Sequence, residues 1–183
     1  MRKPTAEELH AAKEMGVPDI IAPGLRLLFC GINPGLYSAA TGHHFARPGN
    51  RFWPALFLAG LTPRQLSPEE EQELPPLGIG ITNVVARASA GAAEVSSAEL
   101  VAGGHELVEK IERYQPRVLA ILGVSAFRAA FGQPKAALGP QPMRIGETEV
   151  WVLPNPSGLN AHYQVADLAE WYRRAWDHAA ERS

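Results

Sequence analysis

Four short segments rich in large apolar and β-branched residues recur along the chain, with helical patterns between them. Their order limits the possible folds more than any other feature. The segments cover residues 25–32, 80–85, 117–123 and 149–154. Runs of this length and composition are typical of strands buried on both faces. Strands that alternate with helices predict a single α/β domain with three α/β/α layers and a central, mostly parallel sheet.

The chain is long enough for one domain with its own core. It has 183 residues, of which 46% are hydrophobic and 20% charged, close to the averages for soluble globular proteins. We therefore expect residues 1–183 to form one domain. Thr5 and Glu8 have the spacing of a capping box, which predicts a short helix before Gly16. Residues 1–19 are expected to be a peripheral N-terminal extension.

Further helices are predicted from apolar spacing and capping residues. They cover 52–57 after a capping Asn50, a segment that begins at Ser96 or Ser97, 125–131, and about 161–180. Residues 35–49 show no periodicity and are expected to form a long loop, a feature that is usually functional. The acidic, proline-flanked segment 63–76 is expected to be a surface excursion.

Several classes of site and location are disfavoured. Cys30 is the only cysteine, which excludes an intramolecular disulfide and a paired-cysteine zinc or redox site. His43 and His44 are adjacent, but no third ligand stands at a metal-binding spacing, and no P-loop or dinucleotide glycine pattern occurs. We expect no metal and no cofactor. No stretch approaches eighteen apolar residues and the N-terminus is polar, so a cytoplasmic protein without a membrane partner is expected.

The first and fourth predicted strands end in similar turns. Asn33-Pro34-Gly35 follows one and Asn155-Pro156-Ser157-Gly158 the other. Asn-Pro turns are common on their own. Two matched turns at the carboxyl edge of a parallel sheet, where such folds bind ligands, predict a functional site.

These motifs carry a family resemblance. Residues 31–35, together with Ser38, Phe45 and the segment 50–53, and later 155–159, closely resemble the mismatch-specific uracil-DNA glycosylases, the Mug and thymine-DNA glycosylase branch of the superfamily. The resemblance spans about residues 20–172 and implies the uracil-DNA glycosylase fold. It implies hydrolysis of the N-glycosidic bond of uracil, or of thymine in a G·T mispair, to leave an abasic site. The implied partner is double-stranded DNA with G·U or G·T mispairs, bound by a monomer.

The resemblance also assigns roles around the reacting base. Asn33 aligns with the residue that positions the attacking water, and an amide oxygen can accept a hydrogen bond but is no strong base. Slow chemistry is therefore expected, helped by backbone N–H donors near Ile32 and Phe45 that stabilise the leaving anion. Phe45 is expected to stack on the flipped base, with an ordinary core role as the alternative. Ser38 is expected near C5 of the pyrimidine.

The second loop is expected to enter the duplex. Gly158, Leu159 and Asn160 resemble a wedge that fills the gap left by the extruded base. Asn155 and Ser157 are expected to support this loop and nearby phosphate or sugar contacts.

Ala93 stands where several relatives have a polar side chain that could assist the water. We therefore hypothesise that alanine at this position marks a lost catalytic helper.

Two other functions compete with the glycosylase. A DNA-damage or mismatch binder with weak or abolished catalysis would suit Asn33 and Ala93. A hydrolase of free nucleosides would use the same bond chemistry but has no need of a wedge. The formal charge of -2 hides a segregation, because 69–112 is acidic while 20–68 and 113–146 contain bases and no acid. This distribution predicts few phosphate contacts and a shallow salt dependence.

Overall fold

A mostly parallel sheet forms the centre of the molecule. The structure is a computed structural model that describes residues 1–181. Within that range the sheet has five strands: β1 (Leu27–Gly31), β2 (Ile79–Asn83), β3 (Val118–Leu122), β4 (Gly139–Ile145) and β5 (Thr148–Leu153). Their order is β2-β1-β3-β5-β4, with β4 antiparallel to β5 and every other neighbouring pair parallel. The predicted mostly parallel sheet is confirmed.

Helices cover both faces of this sheet. They are α1 (Ala6–Ala11), α2 (Leu36–Thr41), α3 (Phe52–Leu58), α4 (Ser97–Tyr114), α5 (Val124–Phe131) and α6 (Val165–Ala180). Alternate residues of β1 point to opposite layers. Leu27 and Phe29 pack with α3 and α6, whereas Leu28 and Cys30 pack with α4 and α5. All five β1 residues are buried, and full burial of each large apolar side chain is worth about 1.5–3 kcal/mol. The three-layer prediction is confirmed.

Most predicted elements are present with small shifts of their ends. The four predicted strands match β1, β2, β3 and β5 to within two residues. The capping box of Thr5 with Glu8 is present, as is that of Ser96 with Glu99. The N-cap of α3 is Arg51 and not the predicted Asn50, although the carboxamide oxygen of Asn50 accepts a hydrogen bond from the Phe52 N–H at 2.9 Å.

Strand β4 was not predicted. It contains Pro140 and Pro142, and its residues alternate between buried and exposed positions. Proline cannot donate to a strand ladder and is therefore restricted to sheet edges and irregular positions. The register also shifts between Pro140 and Arg144. A sequence with these prolines gives no strand signal even though it supplies an edge strand.

Two predictions about segment boundaries were wrong. Residues 35–49 are not an uninterrupted loop, because α2 lies inside them and ends at Gly42, whose φ is 76°. This short helix packs through Ala39 on Ala12 and Val17 of the N-terminal extension, so it carries no long apolar stripe. Helix α6 begins at Val165 and not near 161, because the preceding residues form part of a loop described below.

Within residues 1–181, no helix is long and apolar enough to cross a membrane.

Candidate active site

The two Asn-Pro loops meet at the carboxyl edge of the sheet, around a cavity of about 450 Å³. Residues after β1, β2 and β5 contribute most of its wall. Among the predicted site residues, those that line the cavity are Ile32, Asn33, Ser38, Phe45, Asn155, Ser157, Leu159 and Asn160. Gly158 and Ala93 lie outside this lining in the described chain.

The side-chain amide of Asn33 is held in one orientation. Its Nδ2 donates to the backbone oxygen of Arg87 at 3.0 Å and to Oγ of Ser89 at 2.8 Å. A carbonyl oxygen can only accept, so the contact with Arg87 fixes which end of the amide is nitrogen. Both N–H groups are thereby used inside the protein. The oxygen Oδ1 is the end of this amide left to accept a hydrogen bond from a ligand.

Ser89 is a site residue that the sequence did not reveal. It is almost fully buried, its hydroxyl donates to the Gly91 carbonyl at 2.8 Å, and its N–H donates to the Pro34 carbonyl at 3.1 Å. Ser89 thus joins the loop after β2 to the Asn33 turn. Its side-chain partner Asn33 lies 56 residues away in the chain, and no local pattern signals such a pairing.

Phe45 lies on the cavity wall in a left-handed backbone conformation, with φ of 51°. Its ring stacks on Phe52, with centroids 4.3 Å apart and planes inclined by 27°. The preceding carbonyl, of His44, accepts a hydrogen bond from the indole N–H of Trp53 at 3.1 Å. The residues 43–50, here called the Phe45 loop, are therefore fastened to helix α3. The ring is half-buried and still reaches the cavity.

A buried carboxylate holds the start of the Phe45 loop. Glu71 comes from the acidic segment 63–76, expected on the surface, but its side chain is buried. It accepts a hydrogen bond from the His44 N–H at 2.9 Å and contacts the His43 ring at 2.9 Å. The surface prediction for this segment was therefore wrong at Glu71, because the loop supplies donors that offset the cost of burying a charge.

His44 is buried beside this carboxylate and also lines the cavity. Its Nε2 lies 2.8 Å from the carbonyl of Pro18, which can only accept, so Nε2 carries a proton. Burial lowers the pKa of His44 below its ordinary value, more than the Pro18 contact and the nearby Glu71 and Asp19 raise it. Burial therefore favours the neutral form of this imidazole.

Small groups complete the wall around Phe45. The hydroxyl of Ser38, buried in α2, accepts a hydrogen bond from the Ala46 N–H at 3.1 Å. Within residues 1–181, the backbone N–H groups of Ile32 and Phe45 donate to no protein acceptor. Asn83, which the sequence did not single out, lines the cavity at the end of β2. A Cβ on Gly31 would lie 2.6 Å from its Oδ1, so glycine there makes room for the Asn83 amide.

The second loop, residues 155–163, is here called the wedge loop. Its Leu159 is 78% exposed, an unusual state for a large apolar side chain. Internal bonds shape the turn: Asn155 Oδ1 accepts from the Ser157 N–H at 2.9 Å, and Asn160 Nδ2 donates to the Asn155 carbonyl at 3.2 Å. A Cβ on Gly158 would lie only 2.9 Å from the Gly49 carbonyl oxygen. Gly158 thus allows the two loops to touch backbone to backbone.

Ala93 lies beside the cavity and not on its wall. It is exposed in the 3₁₀ turn Ala92–Glu94, and its neighbour Ala92 is the lining residue. The lost catalytic helper at position 93 stays a hypothesis, and only a side chain longer than alanine could extend from there to the cavity.

The cavity carries little charge. Over residues 1–181, no aspartate or glutamate lines it, and its ionisable side chains are His44 and Arg47. Other arginines are occupied elsewhere. Arg26 donates to the Trp176 carbonyl, and Arg64 pairs with Glu70 and Glu73. Arg47 is exposed and lines the cavity, and in the described range its guanidinium makes no hydrogen bond or ion pair with the protein.

In the described part of the chain, no three histidine, cysteine, aspartate or glutamate side chains are grouped to hold a metal ion.

The fold and cavity place the molecule in a general class: α/β proteins with a ligand site at the carboxyl edge of a mostly parallel sheet. Within that class, the family model of the Uracil DNA glycosylase superfamily matches residues 18–180, and the chain belongs to that superfamily. A solved structure with the same fold is the solution NMR structure of a "putative Uracil DNA glycosylase" from Methanosarcina acetivorans. The two superpose with a TM-score of 0.60 at 17% identity, over 91% of this chain and 98% of that one.

Proposed function

We propose that this protein is a mismatch-specific, monofunctional DNA glycosylase of the Mug and thymine-DNA glycosylase type. It flips uracil or thymine out of G·U or G·T mispairs, hydrolyses the N-glycosidic bond and leaves an abasic site, which initiates base-excision repair. Superfamily membership supports a DNA glycosylase role and a DNA substrate. Every group invoked below comes from one chain, so a monomer suffices.

The orientation of Asn33 is the observation that carries this proposal. Because both amide N–H groups donate to Arg87 and Ser89, Oδ1 accepts a hydrogen bond from a water and holds it against C1′ of the deoxyribose. The water oxygen bonds to C1′ as the bond from C1′ to the base N1 breaks, and the base leaves with the electron pair. The water proton passes to solvent, since an amide is no strong base.

The departing base anion is stabilised by preorganised donors. The free N–H groups of Ile32 and Phe45 face no protein acceptor in the described chain and bind the base oxygen on which charge develops. The Phe45 ring stacks on the base, a contact worth roughly 1–3 kcal/mol. The Asn83 amide offers one donor and one acceptor to the imide edge of uracil or thymine, and the small Ser38 side chain leaves room at C5.

Leu159 supports a duplex substrate over a free nucleoside. An apolar side chain that is 78% exposed beside the cavity can enter the base stack and fill the space of the extruded nucleotide. Extrusion costs a few kcal/mol and least for a mispaired base, which favours mispairs. Asn155 and Ser157 fix the turn that presents Leu159. Retention of the abasic product by the same wedge is expected to slow turnover.

A second function is favoured by the absence of acids from the described cavity wall. A protein with the weakly basic amide of Asn33, and with Ala93 where several relatives have a polar side chain, could bind mismatches or damaged DNA with weak or abolished catalysis. This alternative keeps the wedge and the stacking ring but needs no water activation.

One assay distinguishes these functions. The protein is incubated with duplexes that carry G·U, G·T or A·U and with free deoxyuridine, and released base and alkali-labile strand breaks are measured. The proposal expects release from the mispaired duplexes in a single-turnover burst. Binding of G·U without release supports the binder, and release from the nucleoside alone contradicts both duplex functions.

A further inference from the structure

Arg51 connects the Phe45 loop to the wedge loop. It follows the Phe45 loop directly and precedes α3. Its guanidinium donates to three carbonyl oxygens of the wedge loop, those of Ser157, Asn160 and Tyr163. Its backbone N–H also donates to the Pro156 carbonyl at 3.0 Å. One residue thus binds the wedge loop at four points.

The chemistry of arginine suits this position. Three carbonyl oxygens that converge from an irregular loop need donors, and a guanidinium supplies five in a fixed planar fork. Charged donors make stronger hydrogen bonds than neutral ones. The wedge loop itself contains no Asp, Glu, Lys or Arg, so its backbone takes this charge from another element.

A second contact holds the two loops together. Gly158 approaches the Gly49 carbonyl so closely that a Cβ would lie 2.9 Å from it. The wedge loop therefore touches the Phe45 loop at Gly49. Arg51, two residues further along the chain, binds the same wedge loop through its hydrogen bonds. Leu159, at the tip between these contacts, is exposed and gains little packing of its own.

We propose that Arg51 is a positioning residue that holds the wedge loop ready to enter DNA and couples it to the base-stacking Phe45 loop. This inference rests on the proposed function. Without Arg51 the loop samples conformations in which Leu159 cannot insert. Apparent affinity falls in proportion to the competent fraction, which is the fraction of molecules whose wedge loop can insert Leu159. A decrease of that fraction to about one tenth therefore weakens lesion binding about tenfold.

The first test uses the free protein. In Arg51→Met, which keeps the length but removes the donors, amide hydrogen exchange of Ser157, Leu159 and Asn160 should accelerate at least about tenfold. Arg26→Met is the matched control, because Arg26 also donates to a distant carbonyl, that of Trp176, and should leave those amides unchanged. Unchanged exchange in Arg51→Met would overturn the proposal, whatever the protein does to DNA.

The second test asks whether Arg51 acts through Leu159. Kd is measured for a G·U duplex whose uridine carries a 2′-fluoro group that resists cleavage, with Arg51→Met, Leu159→Ala and the double variant. Each single change should weaken binding about tenfold, and the double variant no further, because the second change removes nothing that remains. Multiplicative losses of about a hundredfold would show a general structural effect and refute the coupling. Arg26→Met should combine multiplicatively with Leu159→Ala.

Two safeguards keep the outcomes separate. If wild type binds G·U no better than G·C, the proposed function fails, while the exchange experiment still decides the role of Arg51. If Arg51→Met lacks a cooperative thermal transition, Arg51→Lys takes its place in both tests. Lysine keeps the charge without the fork, so it should loosen the wedge loop less than methionine, and exchange equal to that of wild type would count against the proposal.

Discussion

The orientation of the Asn33 amide is set by two acceptors in the loop that follows another strand, β2. The Arg87 carbonyl and the Ser89 hydroxyl belong to the loop after β2, and the Gly91 carbonyl in turn orients the Ser89 hydroxyl. An amide that could rotate would present its donor end to the cavity in part of the molecules. The two acceptors prevent this, so the chemistry of Asn33 depends on residues more than fifty positions away.

Ser89→Ala should therefore slow base release without weakening DNA binding. Asn33 would keep only the Arg87 contact, and loss of about 1.4 kcal/mol of orientation lowers the single-turnover rate about tenfold. Ser89→Thr keeps the hydroxyl and should restore most of the rate. Equal rates in Ser89→Ala and wild type would show that Ser89 does not orient Asn33.

Asn33→Ala should lower the single-turnover rate at least about 100-fold, with Kd for the G·U duplex within a few fold.

His44 should make stability depend on pH. Because burial lowers its pKa in the folded protein, the unfolded chain binds the proton first as pH falls below about 6.5. Stability from this residue is thus fully present above pH 6.5 and declines toward pH 5. Urea midpoints should follow that trend in wild type and lose it in His44→Gln, which should also be about 1–2 kcal/mol less stable at pH 8.

The neighbouring titratable groups give this experiment its control. Glu71, Asp19 and His43 influence the pKa of the His44 ring, and His43 also contacts Glu71. His43→Gln should keep the decline toward pH 5. If it abolished the decline while His44→Gln did not, the pH dependence would belong to the ion pair of His43 with Glu71.

At the scale of elements, two loops and a short helix build the site. The wedge loop and the Phe45 loop touch at Gly158 and Gly49, and α2 supplies the Ser38 hydroxyl that accepts a hydrogen bond from the Ala46 N–H of the Phe45 loop. The strands contribute to the site mainly by ending at the same edge of the sheet, which brings the loops together. Loop shape therefore depends on contacts between loops as much as on the sheet.

Gly158→Ala tests that contact. Its Cβ would lie 2.9 Å from the Gly49 carbonyl oxygen, so the wedge loop must shift outward. We expect binding of a G·U duplex to weaken roughly five- to tenfold through a smaller competent fraction. The free energy of unfolding should change by less than about 0.5 kcal/mol, because the residue is exposed. Unaltered Kd would mean that the loop accommodates the methyl group without moving Leu159.

The sequence predicted the elements better than their contacts. Apolar runs located β1, β2, β3 and β5, and capping patterns located the start of α4. Strand β4 escaped because its prolines suppress the strand pattern, and α2 because its buried side is built from small residues such as Ala39. For the site, the motifs singled out Asn33 and Phe45. Ser89, Asn83 and Glu71 meet them only through the fold, and their spacing in the chain carries no signal.

At the scale of the whole molecule, charge is sparse at the cavity. Several of the bases that the sequence groups together lie elsewhere. Arg117 precedes the amino end of β3, and Arg144 pairs with Glu149 at the start of β5. Arg51 is engaged by the wedge loop. In the described chain this leaves Arg47 as the exposed, unpaired base at the cavity rim.

DNA binding should therefore show a shallow dependence on salt that relies on Arg47. Arg47→Gln should reduce the slope of log K against log salt by about 0.9, the value for one phosphate contact, and weaken matched and mismatched duplexes alike. Arg144→Gln, at the other edge of the sheet, should leave the slope unchanged. A wild-type slope near ten would contradict the sparse charge described above.

Cys30 is the only thiol in the chain, and it lies fully buried in β1, where burial raises its pKa. Thiol-reactive dyes require an accessible thiolate, so the folded native chain is silent toward them. A cysteine introduced at a single exposed position would consequently be labelled alone. A dye attached to such a cysteine beside the tip of the wedge loop would report the entry of this loop into DNA by a change in fluorescence. The native cysteine would not have to be removed.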